Sequence, residues 1–169
     1  MSEAVWNDID DWFVTTFTAS MGQVSSYATL KCQTVEATIL RDLQDIARWT
    51  LPAIIADGEV VNRESITNVV CNNRYRKTMP YIIMGIVEGT REQVTVDAKI
   101  LEKRIERTLR PLEISIAGAN EGDNVTEKAY KLILGNSQIS ISPKPLSQNG
   151  SWYGIASFEL IVYSETRTM

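Results

Sequence analysis

The stretch from Ser151 to Glu165, SWYGIASFELIVYSE, most narrows what this chain can fold into. It reads as one long β-strand. Ala156, Phe158, Leu160 and Val162 fall on one face, and Ile155, Ser157, Glu159, Ile161 and Tyr163 on the other. A strand on a half-solvated sheet needs only one apolar face, whereas this one needs cover on both. Tyr81 to Val87, YIIMGIV, is the most hydrophobic run in the chain and is also apolar on both faces, as in a central strand. A sheet with two such strands must lie between layers.

The remaining patterns supply layers and further strands. Val5, Ile9, Trp12, Phe13 and Phe17 recur at helical spacing, with Ser2 as a cap and Gly22 as the stop. A second helix is expected over about Glu36 to Trp49, capped by Thr34 and stopped by Pro52. A third is expected from Val96 to Leu109, with Val96, Ile100, Leu101, Ile105 and Leu109 as its apolar stripe. Thr95 or Asp97 would cap it and Pro111 would close it. Pro52–Val61, Arg76–Glu88, Leu112–Ala117, Tyr130–Leu134 and Ile139–Ile141 read as strands, the last two separated by Gly135-Asn136. The expected class is therefore α+β: a mostly antiparallel β-sheet with a long helix packed on it, plus two amino-terminal helices. At 169 residues one domain is expected, with residues 1–50 as a helical extension and 51–169 as the sheet-plus-helix core.

Composition bears on function mainly by exclusion. The chain has no histidine, which removes Ser-His-Asp and Cys-His catalysis and imidazole metal sites. Two cysteines, Cys32 and Cys71, cannot close a four-cysteine site and read as reduced thiols. Neither a Walker A loop nor a GxGxxG motif occurs, and no nucleophile–base pair stands out. The acids Asp8, Asp10 and Asp11 suit a helix start, and GANEGDN (Gly118–Asn124) lacks calcium-loop spacing. No cofactor, metal or catalytic residue is expected. The net charge of −4 argues against gripping nucleic acid by bulk charge. The acidic amino end is expected not to be a signal peptide, and no apolar run reaches the ~20 residues of a membrane span.

Some patches admit several readings. NNRYRK (Asn72–Lys77) places Tyr75 between Arg74 and Arg76, which fits a strand end, a subunit contact or a nucleic-acid contact. Lys99, Glu102, Lys103, Arg104, Glu106, Arg107 and Arg110 make the long helix heavily charged on its outer faces, with Glu106–Arg110 a favourable pair and Lys99–Lys103 and Lys103–Arg107 unfavourable ones; the row of like charges is either solvated or awaiting an acidic neighbour. Trp152, Tyr153, Ile161 and Tyr163 add aromatic and apolar area to the last strand, and Trp6, Trp12 and Trp49 add more near the amino end. The second face of the sheet is covered either by the amino-terminal helices or by another copy.

LPAIIADGEV, then YIIMGIVEGTREQVTVDAKILEKRIERTL, then LEISIAG, then SWYGIASFELIVYSE resembles the tail-terminator proteins of long-tailed bacteriophages. Trp152, Gly154, Ala156, Ser157, Leu160, Val162 and Tyr163 match the ending best, and the similarity spans roughly Leu51 to Glu165. The resemblance implies a virion protein of the tail–neck region, assembled in the host cytoplasm as a homo-oligomeric ring, usually of six copies. Such a ring caps the tail tube, stops its growth, and meets a neck or stopper protein while DNA passes through without specific binding. It implies no enzyme activity and no membrane partner. The longer amino end leaves open a head-side neck, stopper or tail-completion connector. A small cytosolic enzyme and a monomeric nucleic-acid-binding module are the alternatives from other classes. The expected subunit or tube interface is Arg74, Tyr75, Arg76, Lys103, Arg104, Arg107, Trp152, Tyr153, Ile161 and Tyr163.

Overall fold

The computed structural model of the chain describes residues 8–23, 25, 30–37, 46, 49–58, 65–67, 74–114, 127–144 and 150–167. In chain order its elements are α1 (Asp8–Met21), β1 (Thr34–Ala37), β2 (Ala53–Asp57), β3 (Ser65–Thr67), β4 (Arg74–Gly89), α2 (Arg91–Ile114), β5 (Glu127–Pro143) and β6 (Trp152–Arg167). The fold is α+β. One sheet runs β1-β2-β4-β6-β5, with β3 beside the start of β4. All pairings are antiparallel except β1 with β2. The two stretches that are apolar on both faces, in β4 and β6, are paired along their whole length at the centre of the sheet.

Both helices lie on one face, hereafter the helix face. Ile9, Trp12, Phe13, Phe17 and Met21 of α1 share a core with Val94, Ala98, Leu101, Ile105, Leu109 and Leu112 of α2. Beneath them are Met79, Tyr81, Ile83 and Val87 of β4 and Ala156, Phe158, Leu160 and Val162 of β6. The Ala156–Phe158–Leu160–Val162 face of β6 is therefore the one that meets the helices. The Phe13 ring lies 4.9 Å from that of Tyr81, whose hydroxyl donates to Asp10 Oδ1 at 2.6 Å. This bond ties α1 to the middle of β4. Gly22 ends α1, its N–H donating to Thr18 O.

Several sequence expectations are corrected. The long helix starts at Arg91, capped by Thr90, whose Oγ1 accepts the Gln93 N–H at 3.2 Å. Thr95 instead lies inside the helix, donating to Arg91 O, and Asp97 accepts from Gln93 Nε2. The apolar stripe is shifted: Val96 is 53% exposed and Val94 and Ala98 are buried. Pro111 does not close the helix, which continues to Ile114, so Leu112–Ile114 are helical and not a strand. A proline inside a helix removes a hydrogen bond and crowds the preceding turn. Here Leu112 extends the buried stripe beyond it, and Glu113 is held by Arg110 and by the Leu134 N–H. The expected second amino-terminal helix fails at its start, since Glu36 and Ala37 belong to β1; most of its remaining length lies outside the described residues. Gly135-Asn136 does not separate two strands. It is a bulge within one continuous β5, where the register against β6 shifts between Leu134 and Ser137. A Cβ on Gly135 would sit 3.0 Å from Glu159 O, so the bare backbone permits this close approach.

Candidate assembly surface

The face opposite the helices is divided across its length. In one half, Ala53 and Ile55 of β2, Met84 and Ile86 of β4 and Tyr153 of β6 form a second buried cluster. Ile46 and Trp49 belong to it, with Leu51 and Ile155 packed against it. The Trp49 indole N–H donates to Glu36 Oε2 at 2.8 Å, which anchors this cover to β1.

In the other half the strand register aligns three rows. Asp57, Ile82 and Glu159 form the first, Pro80, Ile161 and Ile133 the second, and Thr78, Tyr163 and Lys131 the third. Ile82 is 40% exposed, Ile133 38% and Ile161 37%. These are neighbours on adjacent strands, so they make one patch rather than scattered surface residues. Tyr130 adds its ring 6.2 Å from that of Tyr163, and Lys131 Nζ lies 5.7 Å from the Tyr163 ring. Burying a whole isoleucine side chain stabilises by about 1.5–3 kcal/mol, so covering the exposed remainder contributes roughly 1 kcal/mol per residue. Three give about 3 kcal/mol, below the ~4–15 kcal/mol that association costs. The patch favours a partner but cannot hold one alone.

The sequence-predicted residues do not converge on one site. Ile161 and Tyr163 belong to the open half of this face. Tyr153 is buried inside the covered half, so it is core and not interface. Lys144 Nζ sits 5.5 Å from the Tyr153 ring and 2.8 Å from Glu88 Oε2. The Glu88 hydrogen bond holds the Lys144 ammonium above its ordinary pKa. Trp152 is half-buried toward the helix core, with the Arg91 guanidinium 5.3 Å from its ring. Arg74, Tyr75 and Arg76 occupy the first positions of β4, opposite Arg167, Thr166 and Glu165 of β6 and next to β3.

Lys103, Arg104 and Arg107 lie on the other side of the molecule, on α2. Arg104 and Arg107 rim a shallow groove between the helices, lined by Thr16, Ala19, Ser20 and Thr108. Thr108 Oγ1 donates to Arg104 O and lies 3.2 Å from Ser20 Oγ. The expected Glu106–Arg110 pair is present at 2.7 Å. Among the described residues no group of three Cys, Asp or Glu side chains converges as a metal would require, and no helix is long and apolar enough to cross a membrane.

The exposed residues Ile82, Ile133 and Tyr130 were not singled out from sequence. The signal was available in the alternation of β4 and β5, but the pairing register that unites them was not. The chain matches no protein-family model and no curated protein.

Proposed function

We propose that this chain is the subunit of a tail-terminator ring: a structural virion protein that caps a tail tube, stops its polymerisation and offers a surface for joining the head. The observation that carries the reading is the half-covered sheet. A single chain hides one end of its second face with Ile46 and Trp49 and leaves Ile82, Ile133 and Ile161 in a contiguous open patch. A ring suits a patch too weak for a simple dimer, because closure lets each subunit contact two neighbours at once. The α+β architecture, with the long helix between β4 and β5, is compatible with the resemblance, although the LEISIAG stretch begins as helix rather than strand. A net charge of −4 suits a channel through which DNA passes without sticking.

The reading needs no catalysis. The ring complements the tube end on one side and cannot template another tube ring on the other. The test is electron microscopy of the purified protein, alone and mixed with tail tubes. Capped tubes of uniform length carrying a terminal ring are expected. Tubes that keep growing, with no protein at their ends, contradict the assignment.

A further inference from the structure

The geometry points to the way copies join: Ser137–Ser142 of β5 pairs in antiparallel fashion with β1 of the next copy, continuing one sheet from subunit to subunit. This rests on the ring reading and names its interface. The first support is the state of the β5 edge. Among the described residues β5 pairs only with β6, leaving one side of a long strand open. Natural proteins blunt such edges with charges, prolines, bulges or covering elements. Here no charged residue occurs from Leu132 to Pro143. Residues 135–140 are all exposed.

The second support is that the first part of this stretch is protected and the second is not. Leu134 directs its N–H to Glu113 Oε1 at 2.7 Å, so α2 takes that donor. The Gly135-Asn136 bulge then interrupts the edge. Past the bulge α2 reaches the strand only at the Ser137 hydroxyl, which donates to Glu102 Oε1 at 3.3 Å, and among the described residues the backbone edge then runs on without a strand partner to Pro143, which has no N–H to offer. The open segment is thus bounded on both sides by devices that stop strand pairing.

The third support identifies the occupant. The opposite edge of the same sheet is β1, which pairs only with β2 among the described residues. Its four residues fit within the open segment of β5. Its one charge, Glu36, is hydrogen-bonded to Trp49 of its own chain. One molecule therefore carries a matched donor edge and acceptor edge at opposite ends of its sheet, the condition for a head-to-tail contact that can close into a ring. Strand direction agrees. β1, β2 and β6 run one way and β4 and β5 the other. Rotation about an axis along the strands sets β5 against the next β1 in antiparallel sense. Backbone hydrogen bonds at this seam supply what the Ile82–Ile133–Ile161 patch lacks.

The register predicts which side chains meet. Thr34 and Glu36 of β1 share a face with Ala53 and Ile55, and Gln138 and Ser140 of β5 share that same face through Ser157 and Ile155. The experiment combines two measurements on the assembly the wild-type chain forms, alone or on tube ends. Rotation keeps each row level, so Thr34 meets Ser140, and mixing Ser140→Cys protein with Thr34→Cys protein should give a disulfide-linked heterodimer under oxidation, with neither variant linking to itself. The Gln138→Lys/Ser140→Lys variant, altered only at exposed positions, should keep its circular dichroism and lose the ring, running as a single chain. Ser140→Cys linking to itself indicates a two-fold β5–β5 contact and overturns the proposal. Intact rings from the lysine variant also overturn it, while leaving the tail-terminator reading in place if that variant still caps tubes. A wild-type chain that neither oligomerises nor binds tube ends overturns both.

Discussion

Replacing Gly154 by alanine is expected to destabilise the protein, although the same change in a strand ordinarily helps. Gly154 lies in β6 opposite Val87, where the strand passes beneath the first turn of α2. An added Cβ would sit 2.7 Å from Val94 O, 3.0 Å from Val87 Cγ2 and 3.1 Å from Val94 Cβ. The nearest of these atoms is helix backbone and cannot rotate away. Two effects compete. Alanine restricts the unfolded chain, a gain of about 0.4–1 kcal/mol. Overpacking of this kind costs about 1–3 kcal/mol. The net loss is about 0.5–2 kcal/mol, and for a chain of this size about 2–4 °C of Tm accompanies each kcal/mol. Gly85→Ala provides the internal comparison. Its nearest neighbour would be Leu101 Cδ1 at 2.9 Å, then Ile105 Cδ1 and Leu101 Cβ, each at 3.1 Å, and the two methyl ends can swing aside. Chemical and thermal denaturation should rank wild type above Gly85→Ala and Gly85→Ala above Gly154→Ala. A Gly154→Ala protein as stable as wild type would show that α2 is not seated on β6 at this distance.

Other expectations address separate parts of the account. Tyr81→Phe removes the bond to Asp10 and should lower unfolding free energy by about 1–2 kcal/mol, read from the denaturant midpoint. An unchanged midpoint would mean the bond does not anchor α1. Burial pushes the Cys32 thiol from 9.0 up to about 12, so it stays neutral in the folded protein and should resist alkylation at pH 8 until unfolded. Because the unfolded thiol ionises first, its contribution to stability is fully present below pH 9 and is lost as pH rises toward about 12. Peptide-resolved mass spectrometry checks the labelling and alkaline denaturation checks the sign. Arg104→Glu/Arg107→Glu should change monomer stability by no more than about 0.5 kcal/mol, since both guanidinium groups rim an open groove, yet should weaken ring or tube contacts. Native mass that is indifferent to the reversal would remove that groove from the interface.

What the sequence disclosed followed from periodicity, and what it hid depended on contacts distant along the chain. The apolar stripe of α1 and the helix face of β6 were legible because every second or third residue carried the signal. The Thr90 cap was legible in principle from Thr90-Arg91-Glu92-Gln93, but Thr95 and Asp97 offered competing cap residues. Pro111 misled because the penalty for proline in a helix is local, whereas the burial of Leu112 and the Glu113–Leu134 bond are tertiary. Thr34–Ala37 became a strand because β2 was there to pair with it, which no local propensity records. The open patch was half legible. Alternation marked Ile161 and Tyr163, while register alone brought Ile82 and Ile133 beside them. Tyr153 was misassigned for the converse reason, since an aromatic at a strand start gives no sign that Ile46 and Trp49 will cover it.

The central claim is that the uncovered half of the sheet is covered by other copies when the protein works. Native mass spectrometry of the wild-type chain at high concentration and on tube ends tests it most directly. A closed oligomer of defined copy number, lost on Ile161→Lys without loss of fold, is the expected result. A wild-type chain that stays single in both settings contradicts the account.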